Sequence, residues 1–270
     1  MRLSILLGGA LVGSATLLAV TGAVWTPHDP IILGFTNRLG APDGSHWLGT
    51  DEFGRDVLSR LMAGAGPSLA ISLATVVLAL AIGVLLGTIG GYFRGWLDRL
   101  LMSVTDALLA FPGILLALGL LAVFGPNAAG LVCALGLAFS PSVARIVRGT
   151  VMSIRERDFV DASRLMGNSD LETIRRHVLP NSIAPLTVLA TSMLGWALLA
   201  ESALSFLGLG VAPPAPTWGN MLSASRAFLG QAPWLGVFPG LAISLTLLGI
   251  NLLGDGLRDL IDPRMKAVTA

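Results

Sequence analysis

The sequence predicts an all-α integral membrane protein with six transmembrane helices and both termini in the cytoplasm. Three observations carry that reading. Only 12% of the 270 residues are charged against 54% hydrophobic, whereas a water-soluble domain carries about 25% charged residues. Six apolar runs each reach the length of about 20 residues needed to cross a hydrocarbon core roughly 30 Å thick. The arginines between the runs are sorted by side.

In chain order the runs are Leu3–Trp25, Pro67–Phe93, Leu101–Phe124, Ala128–Val147, Ala184–Leu207 and Pro233–Leu253. They are too long for strands and lack period-two alternation. The first, headed by Arg2, exceeds the apolar stretch of a secretory signal and reads as an uncleaved helix. Phe111-Pro112 predicts a kink in the third. With the N-terminus inside, Arg2, Arg94, Arg99, Arg145, Arg148, Arg155, Arg157, Arg164, Arg175, Arg176, Arg258, Arg264 and Lys266 are cytoplasmic. Only Arg38, Arg55, Arg60 and Arg226 lie outside. Trp25, Trp96, Trp218 and Trp234, near run ends, suit interfacial anchoring. The chain then divides into a first helix (1–25), an external segment (26–66), a core (67–264) and a short tail (265–270). The core contains a cytoplasmic loop at 148–183.

Counts of single residue types exclude much chemistry. One cysteine, Cys133, permits no intrachain disulfide. The one lysine, Lys266, has no phosphate-loop glycines before it, so the chain has no Walker-type ATP site. His28, His46 and His177 fall outside the apolar runs, and no His-Glu-x-x-His or Gly-x-Ser-x-Gly occurs. Asp51, Glu52 and Asp56 lack the glycine-defined loop of a calcium site. No catalytic residue, metal site or bound cofactor is expected. The net charge of +1 says nothing about nucleic acid, because the basic residues are sorted by membrane side, and no nucleic-acid partner is expected.

The 148–183 loop is the most informative stretch. Phe159, Ala162 and Met166 give an apolar face to a short helix. Gly167-Asn168 then stops it, since both residues tolerate positive φ. Ser169-x-x-Glu172 is a capping box for a second helix, with Leu171, Ile174 and Val178 on its apolar face and Pro180 at its end. Five arginines and five acids between Arg155 and Arg176 suit a protein groove better than anionic lipid. A solvated linker is the alternative on these residues alone.

The pattern Asp161-Ala162-Ser163-x-x-x-Gly167, nine residues, His177-x-Leu179-Pro180 resembles the EAA motif of ABC importer permeases (Glu-Ala-Ala-x-x-x-Gly, nine residues, Ile-x-Leu-Pro). Asp161, Ser163 and His177 depart from it. Further segments resemble C-type permeases of the dipeptide, oligopeptide and nickel group: His46 to Val57, Glu201 to Gly210, Pro216 to Met221 and Leu253 to Arg264. Together they cover roughly residues 45–264. The resemblance implies a type I ABC importer permease that moves di- or oligopeptides, with nickel, glutathione or another small solute as the alternative within the group. It implies that Asp161, Ala162, Ser163, Gly167, Asn168, Ser169, Glu172, Leu179 and Pro180 form the coupling helix that docks on a separate ATPase subunit. The implied partners are a second homologous permease, two ABC ATPases that bind ATP and magnesium, an extracytoplasmic substrate-binding protein and the bilayer of a bacterial inner membrane.

Two acids fall in or at the end of apolar runs, Asp106 and Glu201. Such residues face a cavity or a partner, so they either line a translocation path or pair internally. Gly83, Gly87 and Gly91 repeat every four residues, the spacing that lets helix backbones approach closely. The external 26–66 segment either receives the binding protein or plugs the outer mouth.

Overall fold

Within lipid each backbone N–H and C=O must find its partner inside the chain, so an apolar run has little choice but the helix. The computed structural model describes residues 2–261, and among these residues it is all-helical. Arg264, Lys266 and the 265–270 tail lie outside the described residues. The helices are α1 (Arg2–Val24), α2 (Val57–Phe93), α3 (Gly95–Leu109), α4 (Gly113–Phe124), α5 (Ala128–Arg155), α6 (Asp158–Leu165), α7 (Asp170–Thr173), α8 (Leu179–Phe206), α9 (Trp218–Ser225) and α10 (Trp234–Ile261). Five spans are single long apolar helices; α7 and α8 form one of them through a connecting π turn. The third apolar run bears its bend at the Phe111-Pro112 position where the sequence predicts a kink. It is broken into α3 and α4, which meet at 95°. Pro112 is the reason, since its ring disfavours helical backbone at Phe111 and removes a donor.

Helix α2 begins ten residues before the expected Pro67, because Asp56 caps it: the carboxylate accepts the Ser59 N–H at 2.8 Å. Asn127 does the same for α5, accepting the Gly130 N–H at 2.9 Å. With 37 residues, α2 is about 55 Å long at about 1.5 Å per residue. It therefore projects beyond the hydrocarbon core.

The principal contact of the molecule is α2 against α5. A Cβ placed on Gly87 would stand 2.5 Å from the Ala144 carbonyl oxygen and 2.7 Å from Val147 Cβ, and one on Gly91 would stand 2.8 Å from the Arg148 carbonyl. Gly83 meets Val143 and the Ser140 carbonyl in the same way. The glycine row is thus a groove for α5 of the same chain. Helix α1 lies on α10 by a similar device, with Gly8 close to the backbone of Gly249 and Leu253.

Trp218 does not anchor at an interface. Its side chain, at the start of α9, is fully buried against α2, with Nε1 donating to the Leu61 carbonyl (3.0 Å) and its N–H to Ser68 Oγ (3.0 Å). Pairing of the indole N–H is what permits full burial. Trp25 and Trp96, by contrast, are exposed.

Adding a methyl at Gly87 forces α2 from α5, at a cost of roughly 1–3 kcal/mol typical of overpacking. Gly87→Ala is expected to lower the melting temperature of the purified protein clearly, whereas Gly149→Ala, which meets nothing within 4 Å, is not. Equal melting temperatures would exclude the glycine-row contact.

Candidate functional site

Beyond the C-terminal end of α5 the chain makes a helical hairpin, α6–turn–α7. Gly167 sits at φ +83°, a conformation that residues with a Cβ rarely adopt. Its N–H donates to the Arg164 carbonyl (2.9 Å) and the Asn168 N–H donates to the Ser163 carbonyl (3.3 Å). Those two bonds are the Schellman closure of a helix C-terminus. Space around Gly167 is open within the chain, so the glycine is demanded by backbone conformation and not by crowding.

The next helix starts on Ser169, whose Oγ accepts the Glu172 N–H at 3.3 Å. The return half of the capping box is replaced, because the Glu172 carboxylate pairs with Arg176 at 3.2 Å. Pro180 does not end this helix. A π turn at Ile174–Val178 carries the chain from α7 into α8, where Pro180 lies in the first turn. The first turn tolerates a residue without an N–H, so loop and span form one continuous rod.

Three hydroxyls and an amide hold the hairpin together. Ser163 Oγ lies 3.0 Å from Thr173 Oγ1 and accepts from Asn168 Nδ2 at 3.0 Å, with Ser163 and Thr173 buried. Tyr92, at the end of α2, secures it to the bundle: its hydroxyl donates to Asp170 Oδ1 (2.8 Å) and its ring lies 5.0 Å beneath the Arg164 guanidinium. Val160, Ile174 and Val178 pack with Tyr92, Val151 and Ile154 in one buried cluster.

The buried face of α6 is therefore Val160 and Ser163, not the Phe159, Ala162, Met166 stripe read from the sequence. Ala162 and Met166 point out, and Phe159 is only half-buried. Leu171 likewise leaves the face expected for it. The hairpin thus presents an apolar knob, with Leu165 89%, Met166 73% and Leu171 75% exposed. Asp161, with its side chain mostly exposed, lies 3.6 Å from Arg164. Leu179 packs partly buried at the start of α8, and Pro180 is exposed.

The two acids in the spans are both internally paired. Glu201 is fully buried in α8 and accepts from Ser205 Oγ (2.8 Å) and Ser202 Oγ (3.3 Å). Asp106 in α3 meets Arg145 of α5 at 2.5 Å, both largely exposed. A stronger pair escaped sequence reading: Asp98 of α3 receives both Nε and Nη2 of Arg148 (2.5 and 2.6 Å). Asp98 lies opposite Gly90, a further glycine on α2. Tyr92 was missed as well. Its one signal was position, immediately after the glycine row.

Residues 83–267 match the family model described as the binding-protein-dependent transport system inner membrane component. The chain belongs to that family. The dipeptide transport system permease protein of Alkalihalophilus pseudofirmus is 42% identical over 262 residues, 97% of this chain and 86% of that protein. The glutathione transport system permease protein of Pectobacterium atrosepticum is 40% identical over 260 residues, 94% of this chain and 86% of that one. Among solved structures, an inward-facing MetNI methionine ABC transporter matches with TM-score 0.62 and 18% identity, over 75% of this chain and 96% of that chain. At that identity the likeness is one of fold. It places the chain in the type I importer permease architecture, and the family membership makes it an integral membrane permease component.

Tyr92→Phe removes the hydroxyl bridge and costs about 1 kcal/mol at that contact. Faster amide exchange in residues 158–173 with unchanged exchange in α5 is the expected result. Asp98→Asn leaves Arg148, whose side chain is 30% exposed, half-paired, and its loss of stability is expected to exceed that of Asp106→Asn. Asp106→Asn, at an exposed pair, is expected to cost about 1 kcal/mol or less. Thermal unfolding of both variants checks the order, and the reverse order would contradict it.

Proposed function

We propose that the chain is one permease subunit of an ATP-driven importer of di- or oligopeptides in a bacterial inner membrane. The dipeptide permease relative supports the peptide reading, and the glutathione permease relative keeps a small thiol peptide within the same class. The observation that carries the coupling role is the exposed apolar knob Leu165, Met166 and Leu171, on a hairpin closed by Gly167 and secured to α2 by Tyr92. Solvent-exposed leucines and methionine at the tip of an otherwise polar helical hairpin mark a docking surface. The amphipathic helix is laid into a groove of the partner.

In this reading the groove belongs to an ABC ATPase subunit, two of which bind ATP and magnesium. A second, homologous permease completes the pathway and an extracytoplasmic binding protein delivers the peptide. The chain performs no covalent chemistry. Asp161, Ala162 and Gly167 face the ATPase, while Ser163, Asn168 and Thr173 keep the hairpin rigid so that a push on the knob moves α8 as a unit. The π turn and Pro180 make that transmission continuous. Transport is then alternating access, in which ATP and substrate each bind one packing of the bundle better than the other. Asp106, paired with Arg145, ties α3 to α5, and Glu201 is satisfied within α8 by Ser202 and Ser205.

The test is co-purification of the tagged chain from cells expressing the whole transport system. Wild type should bring down a second permease and both ATPases. Leu165→Glu, which changes only an exposed side chain, should keep the permease and lose the ATPases. Gly167→Trp should do the same through backbone strain of about 1–2 kcal/mol. A wild-type chain that purifies alone and transports by itself would sink the proposal.

A further inference from the structure

At the end of α2 opposite the hairpin, two stretches of the external segment bring two histidines onto one carboxylate. Nδ1 of His46 lies 3.0 Å from Asp56 Oδ1, and Nδ1 of His28 lies 3.8 Å from Asp56 Oδ2. The two imidazole centroids are 4.6 Å apart. One donor atom from each of the three side chains lies within 4.8 Å of the others.

Each donor is held from behind. Asp43 Oδ1 accepts the N–H groups of Ser45 (2.8 Å) and His46 (2.6 Å), and its own N–H donates to the His46 carbonyl (3.0 Å). That tight turn fixes the backbone of His46. Ser59 does the same for the other two. Its N–H and Oγ both donate to Asp56 Oδ2 (2.8 and 2.7 Å), and its Oγ accepts the His28 N–H at 2.9 Å. Asp56 is buried and Val57 N–H closes on the Gly49 carbonyl at 3.0 Å. These bonds fix the backbones of both histidines and the carboxylate of Asp56.

The electrostatics leave Asp56 to the histidines. Arg55 is matched by Asp51 (2.7 Å) and Glu52 (3.5 Å), and Arg60 by Asp51 (3.5 Å) and the Pro30 carbonyl (3.0 Å). A proton on one Nδ1 serves one histidine, whereas a divalent ion serves both rings and the carboxylate together. Two imidazoles and a carboxylate are a donor set of divalent transition metals, zinc among them. Beside them a cleft of about 300 Å³, lined also by Asp29 and Asn37, leaves room for water in the remaining coordination positions.

We infer that His28, His46 and Asp56 form a three-ligand site for a divalent transition-metal ion of the zinc class, clamping the 26–56 segment onto the N-terminus of α2. Ligands on one tetrahedral ion with bonds of about 2.1 Å stand about 3.4 Å apart. The donor atoms lie within 4.8 Å of one another, so the set closes by up to about 1.4 Å on binding, and His28, whose side chain is 44% exposed, is the ligand free to move. The inference is separate from the transport reading, and binding is measured without transport.

The experiment uses the full chain, purified through a tag without histidines, stripped with a chelator and titrated calorimetrically with zinc chloride. Wild type should bind one ion per chain. His28→Ala and His46→Ala should each weaken binding by more than the roughly 10–100-fold that loss of an outer-shell partner costs, with helical circular dichroism retained. His177→Ala should bind as wild type does. No binding by wild type, or wild-type affinity in either the His28 or the His46 variant, overturns the site. Should a variant fail to fold, cobalt(II) added to the wild-type chain decides: visible absorption of nitrogen- and oxygen-ligated cobalt upholds the site and its absence overturns it.

Discussion

The rest of the structure depends on how closely α2 can approach α5. Lipid supplies no hydrophobic drive to join two apolar helices, so association rests on packing at short range. Gly83, Gly87 and Gly91 meet that requirement by presenting bare backbone to Val143, Ala144, Val147, Arg148 and Val151. The approach places Tyr92, one residue past the last glycine, under the hairpin. It also places Arg148 beside Asp98, which ties α3 to the pair. Widening that contact would remove the seat of the hairpin and the anchor of α3 together.

The length of α2 explains why both of its ends carry structure. At about 55 Å it outreaches a hydrocarbon core of roughly 30 Å, so each end stands in a wetter layer where polar groups can be used. One end meets the hairpin through Tyr92. The other is capped by Asp56 and wrapped by the 26–56 segment. Several charged groups near its two ends form pairs: Arg94 with Glu156, Arg148 with Asp98, Arg55 with Asp51. Such pairs contribute modestly to stability once desolvation is counted. What they supply is geometry, since each joins two elements or pins one loop.

Much of this was legible in the residues. The apolar runs and the sorted arginines gave the spans, and Gly167-Asn168 gave the turn, because few other residues tolerate the backbone it needs. Pro180 misled, since a proline reads as a stop while the first turn of α8 accepts one. The faces of α6 and α7 misled for a different reason. An apolar stripe read as buried assumes that the helix packs inside its own chain, and Met166 and Leu171 point away from it. Trp218 was placed at an interface because it stands near a run end, yet the bond from its indole to the Leu61 carbonyl draws it inside. Tyr92, Asp98 and the meeting of His28 with His46 left no mark in the local pattern.

The sequence by itself determined the class, the number of apolar runs, the place of the hairpin and the glycine at its turn. Each of these follows from composition, periodicity or backbone allowance, which are properties of neighbours along the chain. Only the tertiary structure decided that the glycine row faces α5, that Arg148 meets Asp98, and that two histidines share Asp56. These depend on which helix lies beside which, and that is set by the fit of side chains far apart in sequence.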